Sequence, residues 1–355
     1  MTLSHLKVFL WITLLIALLE LGLEVRANQR GWDTMILGFP PPMQSASSKQ
    51  DRKGEFGPTP AFPFRSRIVP LERESGNHRY WVASSSHAED IYLTPLMTFP
   101  NILEGFLKEG KINAVVLNAS RAGLDIPGNV DDLKHRGPEW KPDYAILYQM
   151  SLSIGSIAKH VLGSPAQAAS AKTSDVKEGP ITWINRFVEK TTIYANVKGQ
   201  ITARIGASRV LANGLGLQAE QEFTAMLRDF IGVARSIGSV PVLTTFATSH
   251  TRKHLGNIPQ DIALSLFKYS SILSVEGWVA SVEQFNAAVR RVAIEERVLL
   301  IDVEDAVAGH PEYFRDFVHF SPAGHEAVAK AMGVALLRFE QEKAMAPTDR
   351  ERAAP

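Results

Sequence analysis

From Arg79 onward, short apolar segments rich in β-branched and aromatic residues alternate with longer segments of helical periodicity. The strand candidates are 80–83, 114–117, 144–148, 240–246 and 298–303, and the helix candidates are 99–107, 223–237, 282–296 and 321–339. Such alternation is typical of parallel strands joined by helices that cover both faces of the sheet. The sequence therefore predicts an α/β domain, a three-layer α/β/α sandwich with a mostly parallel sheet.

The regions outside this alternation predict the domain organisation. Residues 28–78 have the composition of a linker, because a polar, turn-rich stretch lies among prolines at 40, 41, 42, 58, 60 and 63. The folded domain is predicted over 79–340. Within it, 158–218 fits the alternation poorly and is either an insertion or lid over the site or a plain helical excursion. Residues 341–355 are predicted to be a disordered tail.

An apolar segment near the N-terminus carries the information about location. Val8–Leu19 is uncharged, and the apolar run continues past Glu20 to Val25, so it is about as long as the roughly 20 residues that span a bilayer. We expect residues 1–27 to form a transmembrane anchor with the domain outside the cytoplasm. A cleaved signal peptide, which would leave a secreted protein, and a buried helix of the folded domain are the alternatives.

The composition excludes several kinds of site. The chain has no cysteine, which removes disulfides, thiolate metal sites and a cysteine nucleophile. Its 38 basic and 37 acidic side chains leave a net charge of about +1. Nucleic-acid binding requires a clustered basic face, so no nucleic-acid partner is expected.

Asp316 and His319 form the strongest candidate for chemistry. They lie three residues apart in a predicted loop just before the last helix, whose start is marked by Ser321 and Pro322. At this spacing the carboxylate can accept a hydrogen bond from one imidazole nitrogen, which leaves the other nitrogen free to act as a general base. A surface aspartate beside a capping histidine is the alternative.

The string DFVHFSPAGHEAVAKAM, residues 316–332, resembles the last motif of the SGNH/GDSL hydrolases. That resemblance implies an SGNH-hydrolase/flavodoxin-like fold, a catalytic aspartate and histidine, and a serine nucleophile after the first strand. There the sequence RYWVASSSHAED, residues 79–90, is similar to the first motif of a membrane-associated branch. Aligning Ala88 and Glu89 with that motif places Ser86 on the nucleophile, and Ser85 is the alternative register.

The resemblance also implies an oxyanion hole. The stretch 115–123 is similar to the family's second motif, in which a glycine N–H, here that of Gly123, binds the oxyanion together with the N–H of the nucleophile Ser86. The third motif departs from the family, because Leu152 stands where an asparagine donor is expected and Met150 where a glycine is expected. The predicted substitute donors are Gln149, Ser151 and Ser153.

Metal binding is not expected. His250 and His254 are four residues apart, as on one face of a helix, but no nearby acidic residue completes a ligand set, and the resemblance implies metal-free chemistry. His325, near the start of the last helix, is expected to be structural. No cofactor is predicted.

The sequence therefore predicts a serine esterase that acts on a small-molecule or glycan ester, for which an O-acetylated envelope or exported polysaccharide is the preferred substrate. An O-acetyltransferase of exported glycans that uses the same serine is one alternative. A non-catalytic binding or scaffold protein with the same fold is the other. Membrane contact is expected through the N-terminal helix, and the sequence identifies no protein partner.

Overall fold

The computed structural model describes the chain over residues 3–29, 55–59, 61–163, 211–266, 269–270 and 272–345. Most of the predicted insertion, residues 164–210, lies outside these ranges. The end of the predicted tail, residues 346–355, also lies outside them. The same holds for residues 30–54 of the predicted linker.

A five-stranded parallel sheet forms the centre of the described part of the chain. Its strands are β1 His78–Ala83, β2 Ala114–Asn118, β3 Tyr144–Leu147, β4 Val240–Thr244 and β5 Leu299–Ile301. They pair in the order β2-β1-β3-β4-β5, and every pair is parallel. The carboxyl ends of all five strands therefore lie at one edge of the sheet. The direction in which successive strands are added to the sheet reverses between β1 and β3.

Helices cover both faces of the sheet. They are α2 Ser86–Glu89, α3 Phe99–Glu109, α4 Ile126–Trp140, α5 Ser151–Leu162, α6 Gly216–Ser236, α7 Gln260–Leu266, α8 Val275–Glu295, α9 Val303–Val307 and α10 Pro322–Met345. On one face α10 packs against α3 and α9, and on the other α6 packs against α4, α5 and α8. The predicted three-layer α/β/α architecture with a parallel sheet is confirmed.

The last helix begins where the sequence places it and ends later. The Ser321 hydroxyl accepts a hydrogen bond from the Gly324 N–H at 3.2 Å, and Pro322 is the first helical residue. The helix continues to Met345, so the first five residues of the predicted tail at 341–355 are helical. Strong helix formers such as glutamate, lysine and alanine fill that stretch, which explains the extension.

The packed domain starts before Arg79. It includes part of the stretch 28–78, which we predicted to be a linker because of its prolines. Phe62 and Phe64 are buried in the core, and the Phe64 ring lies edge-on to Trp81 of β1 with ring centroids 5.2 Å apart. The Arg79 guanidinium donates to three backbone carbonyls, two of them in the segment before it: Pro70, Leu71 and Trp140. These contacts make residues 61–77 part of the domain.

The N-terminal apolar segment forms a 27-residue helix, α1, Leu3–Gln29. Most of its described side chains, including Trp11 and Leu15, are exposed. Over the side chains that the structure describes, no helix has the combined length and hydropathy that crossing a membrane requires. The predicted transmembrane anchor at 1–27 is therefore not supported by the structure.

Candidate active site

The turn after β1 directs three consecutive serines differently. The Ser84 hydroxyl donates to the Tyr148 carbonyl at 2.5 Å, and the Ser85 hydroxyl lies 2.7 Å from Nδ1 of His87. Both serines are fully buried, whereas Ser86, the first residue of α2, is partly exposed. The two hydroxyls before Ser86 are thus turned inward, and the geometry favours the Ser86 register over the Ser85 register.

Ser86, His319 and Asp316 lie in a continuous hydrogen-bonded chain. The Ser86 Oγ is 2.9 Å from His319 Nε2, and His319 Nδ1 is 2.7 Å from Asp316 Oδ2. An ionised carboxylate can only accept, so Nδ1 carries the imidazole proton and Nε2 accepts from the serine hydroxyl. The structure brings the three predicted residues together in the order that a nucleophile, a base and an orienting acid would require.

The loop that carries Asp316 fixes both the carboxylate and the imidazole. Asp316 Oδ1 accepts hydrogen bonds from the backbone N–H groups of Val318 and His319, each at 2.8 Å. Burial alone would raise the pKa of the Asp316 carboxyl, but attraction to His319 and these hydrogen bonds hold it well below its usual range. Asp316 is therefore ionised throughout the working pH range.

The same pair determines the protonation of His319. Burial by itself lowers the pKa of the imidazole, but the adjacent Asp316 carboxylate raises it further than burial lowers it, and the net pKa lies above the ordinary value. An imidazole with this pKa is basic enough to take the proton of Ser86 and, as imidazolium, acidic enough to return it to a leaving group. This is the electrostatic requirement of a general base.

Two backbone N–H groups are available at the expected oxyanion site. Gly123 lies in the exposed loop after β2 and has a φ of +87°, which is a left-handed conformation that glycine adopts readily. The N–H groups of Gly123 and Ser86 donate no hydrogen bond to any described residue. Both follow strands whose carboxyl ends lie at the same edge of the sheet, and both N–H groups are thus candidates for binding a developing oxyanion.

The three predicted substitute donors are all engaged elsewhere. Gln149 Nε2 donates to the Leu124 carbonyl, Ser151 Oγ lies 3.1 Å from Nε2 of His87, and Ser153 Oγ accepts from the Ile126 N–H. Both serines are completely buried, and Gln149 is 5% exposed. Leu152, at the asparagine position, is half-buried and cannot donate. Among the described residues, the candidate oxyanion hole is therefore left with two backbone donors, because the side chains proposed to replace the third have other hydrogen-bond partners.

His87, which the sequence did not single out for the site, lies behind the imidazole of His319. Its ring stacks on that of His319 with centroids 5.4 Å apart and planes 21° from parallel, and both of its nitrogens contact serine hydroxyls. Burial, followed by repulsion from His319, lowers the pKa of His87 to about 3. A neutral ring thus supports His319 without adding a second positive charge.

A buried ion pair joins the two loops of the site. Asp90, one residue past the end of α2, accepts from Arg315 Nη2 at 2.5 Å and from His325 Nε2 at 2.9 Å through the same oxygen. His325 Nδ1 in turn accepts from the Phe99 N–H at 3.1 Å. His325 is thus a buried structural residue, as expected. No local pattern in the sequence indicates Asp90, because the two side chains that bind its carboxylate are more than 200 residues away.

The histidine pair considered for metal binding has other partners. The rings of His250 and His254 are 5.6 Å apart, and their Nδ1 atoms bind the Ser249 hydroxyl and the Thr251 N–H. Within the described ranges, no group of three histidine, aspartate or glutamate side chains is arranged to hold a metal ion.

Several solved structures are similar to this chain in fold, and their names describe GDSL-like lipases, acylhydrolases and esterases. A GDSL-like lipase from Bacteroides thetaiotaomicron is 10% identical, with a TM-score of 0.43 over 78% of this chain and 93% of that one. An acetylxylan esterase from Geobacillus stearothermophilus, solved as a catalytic mutant, is 15% identical, with a TM-score of 0.41 over 73% of this chain and 94% of that one.

A putative acylhydrolase from Bacteroides fragilis is 11% identical, with a TM-score of 0.42 over 76% of this chain and 89% of that one. No protein-family model and no curated protein sequence matches the chain. With identities of this size and TM-scores below 0.5, the inference of function rests on the side chains of this protein's own site.

Proposed function

We propose that the domain is a serine esterase, an acyl hydrolase that acts on carboxylic esters. The observation that supports this function is the hydrogen-bonded chain from Ser86 through His319 to Asp316, with distances of 2.9 and 2.7 Å. A serine hydroxyl is a weak nucleophile without an adjacent base, and this chain supplies the base together with the carboxylate that orients it.

The mechanism follows from the positions of the donors and acceptors. Ser86 Oγ attacks the ester carbonyl carbon while His319 Nε2 takes its proton, and Asp316 stabilises the imidazolium. The oxyanion forms against the N–H groups of Ser86 and Gly123. When the tetrahedral intermediate collapses, the ester bond breaks and His319 gives its proton to the leaving alcohol. Water, deprotonated by His319, then attacks the acyl-serine. When this second tetrahedral intermediate collapses, the bond between the acyl group and Ser86 Oγ breaks, the acid leaves, and His319 returns its proton to Ser86.

Hydrolysis of p-nitrophenyl acetate by the full-length chain tests this proposal. We expect Ser86→Ala to reduce turnover to the background of the uncatalysed reaction. Ser85→Ala should keep most of the activity, because the Ser85 hydroxyl faces His87. Ser236→Ala is a matched control, since this exposed serine ends α6 just before the amino end of β4, at the opposite edge of the sheet. No hydrolysis by the wild type above that of Ser86→Ala would leave the O-acetyltransferase and the non-catalytic interpretations.

Within this class of reaction we propose an O-acetylated polysaccharide as the substrate. The apolar segment Val8–Leu19 is suited to export of the domain. Outside the cytoplasm, the O-acetyl groups of exported glycans are carboxylic esters that such a domain could meet. Wild type, but not Ser86→Ala, is expected to release acetate from an acetylated polysaccharide. If an added acceptor oligosaccharide becomes acetylated in place of acetate release, the acyl-serine is passed to a sugar hydroxyl and the protein is an O-acetyltransferase.

We also propose that the domain works outside the cytoplasm, with the N-terminal segment as its targeting element. The support is the uncharged apolar run that begins at Val8. Fractionation of cells expressing the chain with a C-terminal epitope tag, followed by protease treatment of intact spheroplasts, tests this location. Digestion of the tag would agree with it, whereas a tag protected until the spheroplasts are lysed would contradict it.

A further inference from the structure

The oxyanion loop, residues 119–125, raises the question of what fixes the Gly123 N–H. Gly123 is exposed, and no heavy atom lies within 4 Å of the position that a Cβ would occupy on it. Packing on that side therefore does not hold the residue. A donor that is free to move gives little stabilisation to a transition state, because oxyanion holes act through groups already in place.

One contact to this loop comes from the helix that carries the nucleophile. Glu89 is the last residue of α2, and its Oε2 accepts the N–H of Ala122 at 2.5 Å. The backbone of Glu89 is itself held, because its N–H donates to the Ser85 carbonyl at 3.0 Å and its carbonyl accepts from Arg65. The carboxylate therefore joins the loop to the same turn that presents Ser86.

A second contact reaches the other side of Gly123. Gln149 follows the carboxyl end of β3, and its Nε2 donates to the Leu124 carbonyl at 2.5 Å. The side chain is almost completely buried, so its position is well defined. Gly123 is thus flanked by an N–H held from α2 and a carbonyl held from β3.

From these contacts we infer that Glu89 and Gln149 are positioning residues that hold the Gly123 N–H in place as the oxyanion donor. The inference rests on the proposed esterase function. Leu152 provides no side-chain donor, so among the described residues the oxyanion depends on the two backbone donors, and their placement matters more than it would with a third. Gln149, predicted as a substitute donor, acts instead through Leu124.

Kinetics of p-nitrophenyl acetate hydrolysis by the full-length chain test the inference. Loss of one oxyanion donor typically costs about 10²–10³ in rate, and a misplaced donor a part of that. We expect Glu89→Ala and Gln149→Met each to lower kcat about 10-fold or more with KM changed less than about 3-fold. Glu89→Gln, which keeps an oxygen acceptor for Ala122, should restore most of the rate. Glu109→Ala, at the exposed end of α3, is the matched control.

The outcomes separate this inference from the function on which it rests. If Ser86→Ala abolishes turnover but Glu89→Ala and Gln149→Met keep wild-type kcat, the esterase stands and the positioning role is refuted. If kcat falls only together with the melting temperature, or if Glu89→Gln fails to rescue it, a general structural role replaces the positioning role. Wild-type turnover in Ser86→Ala would remove the esterase function, and the positioning role with it.

Discussion

The buried ion pair between Asp90 and Arg315 allows a quantitative prediction of how far one substitution lowers the free energy of unfolding. The Asp90 side chain is 1% exposed and that of Arg315 is 15% exposed, and His325 binds the same carboxylate oxygen. Asp90→Asn preserves the shape of the side chain, so no cavity forms. The substitution removes the charge, however, and replaces one acceptor oxygen of the carboxylate with a donor NH₂ group. This NH₂ group must face either the Tyr92 N–H or the donors of Arg315 and His325.

The magnitude follows from burial. Removing one partner of a buried ion pair typically costs about 3–5 kcal/mol, because the other charge stays desolvated. The amide of the Asp90→Asn variant keeps one acceptor oxygen, so we expect the low end, about 3 kcal/mol of unfolding free energy. At about 2–4 °C per kcal/mol, the melting temperature should fall by roughly 6–12 °C.

A matched variant makes the comparison decisive. Glu342→Gln is the same change from acid to amide in the exposed pair with Arg338, whose side chains are 61% and 80% exposed. Such pairs contribute about 0–1 kcal/mol, so its melting temperature should barely change. Thermal unfolding of the three proteins by circular dichroism at pH 7 gives both shifts. If Asp90→Asn melts within about 2 °C of Glu342→Gln, the reasoning from burial is refuted.

The effect of Asp90 should also depend on pH in a defined direction. Burial alone would raise the pKa of the Asp90 carboxyl, but the hydrogen bond from His325 and the charge of Arg315 hold it below its ordinary value. A carboxyl with a depressed folded-state pKa stabilises the protein above its unfolded-state pKa of about 3.9, and this contribution is lost as pH falls toward the folded-state value. The difference between wild type and Asp90→Asn should therefore persist at pH 5 and shrink below about pH 4.

Two further predictions concern the base and the edge of the domain. Because Asp316 raises the pKa of His319, kcat/KM should fall as pH drops through that pKa. Asp316→Asn should move this acidic limb to lower pH and reduce the rate about 10³–10⁴-fold, and a pH–rate profile with an unmoved limb would contradict the assignment. Phe64→Ala should cost about 3–5 kcal/mol in chemical denaturation, because the ring is fully buried; a loss below about 1 kcal/mol would return residues 61–77 to a linker.

Features that depend on neighbouring residues could be predicted from the sequence. Strands such as β2 and β3 are buried along their whole length, so they must be short apolar runs, and the pattern places them to within a residue or two. Asp316 and His319 are three residues apart, and a turn of that length brings a carboxylate onto an imidazole without help from the rest of the chain. The N-cap at Ser321 is local for the same reason.

Helix α4 was missed because its local signals point the other way. It contains Pro127, Gly128, Gly137 and Pro138, all of which disfavour a helix or mark its ends. The Asp125 side chain caps its start by accepting from the Gly128 N–H at 3.0 Å, and packing against α6 supplies the remaining stability. Tertiary packing overrides intrinsic propensity here, as it does for the aromatic residues of the proline-rich stretch before Arg79.

The sequence by itself determined the five strands, the four helices α3, α6, α8 and α10, the Asp316–His319 pair and, through the resemblance, the choice of Ser86. Only the tertiary structure decided that Ser86 lies against His319, 233 residues away, and that Ser151 and Ser153 face inward while Gln149 holds the oxyanion loop. The physical reason is that the direction of a polar side chain depends on which distant groups satisfy its hydrogen bonds once it is buried. Those groups become its neighbours only when the parallel strands bring their carboxyl ends to one edge of the sheet.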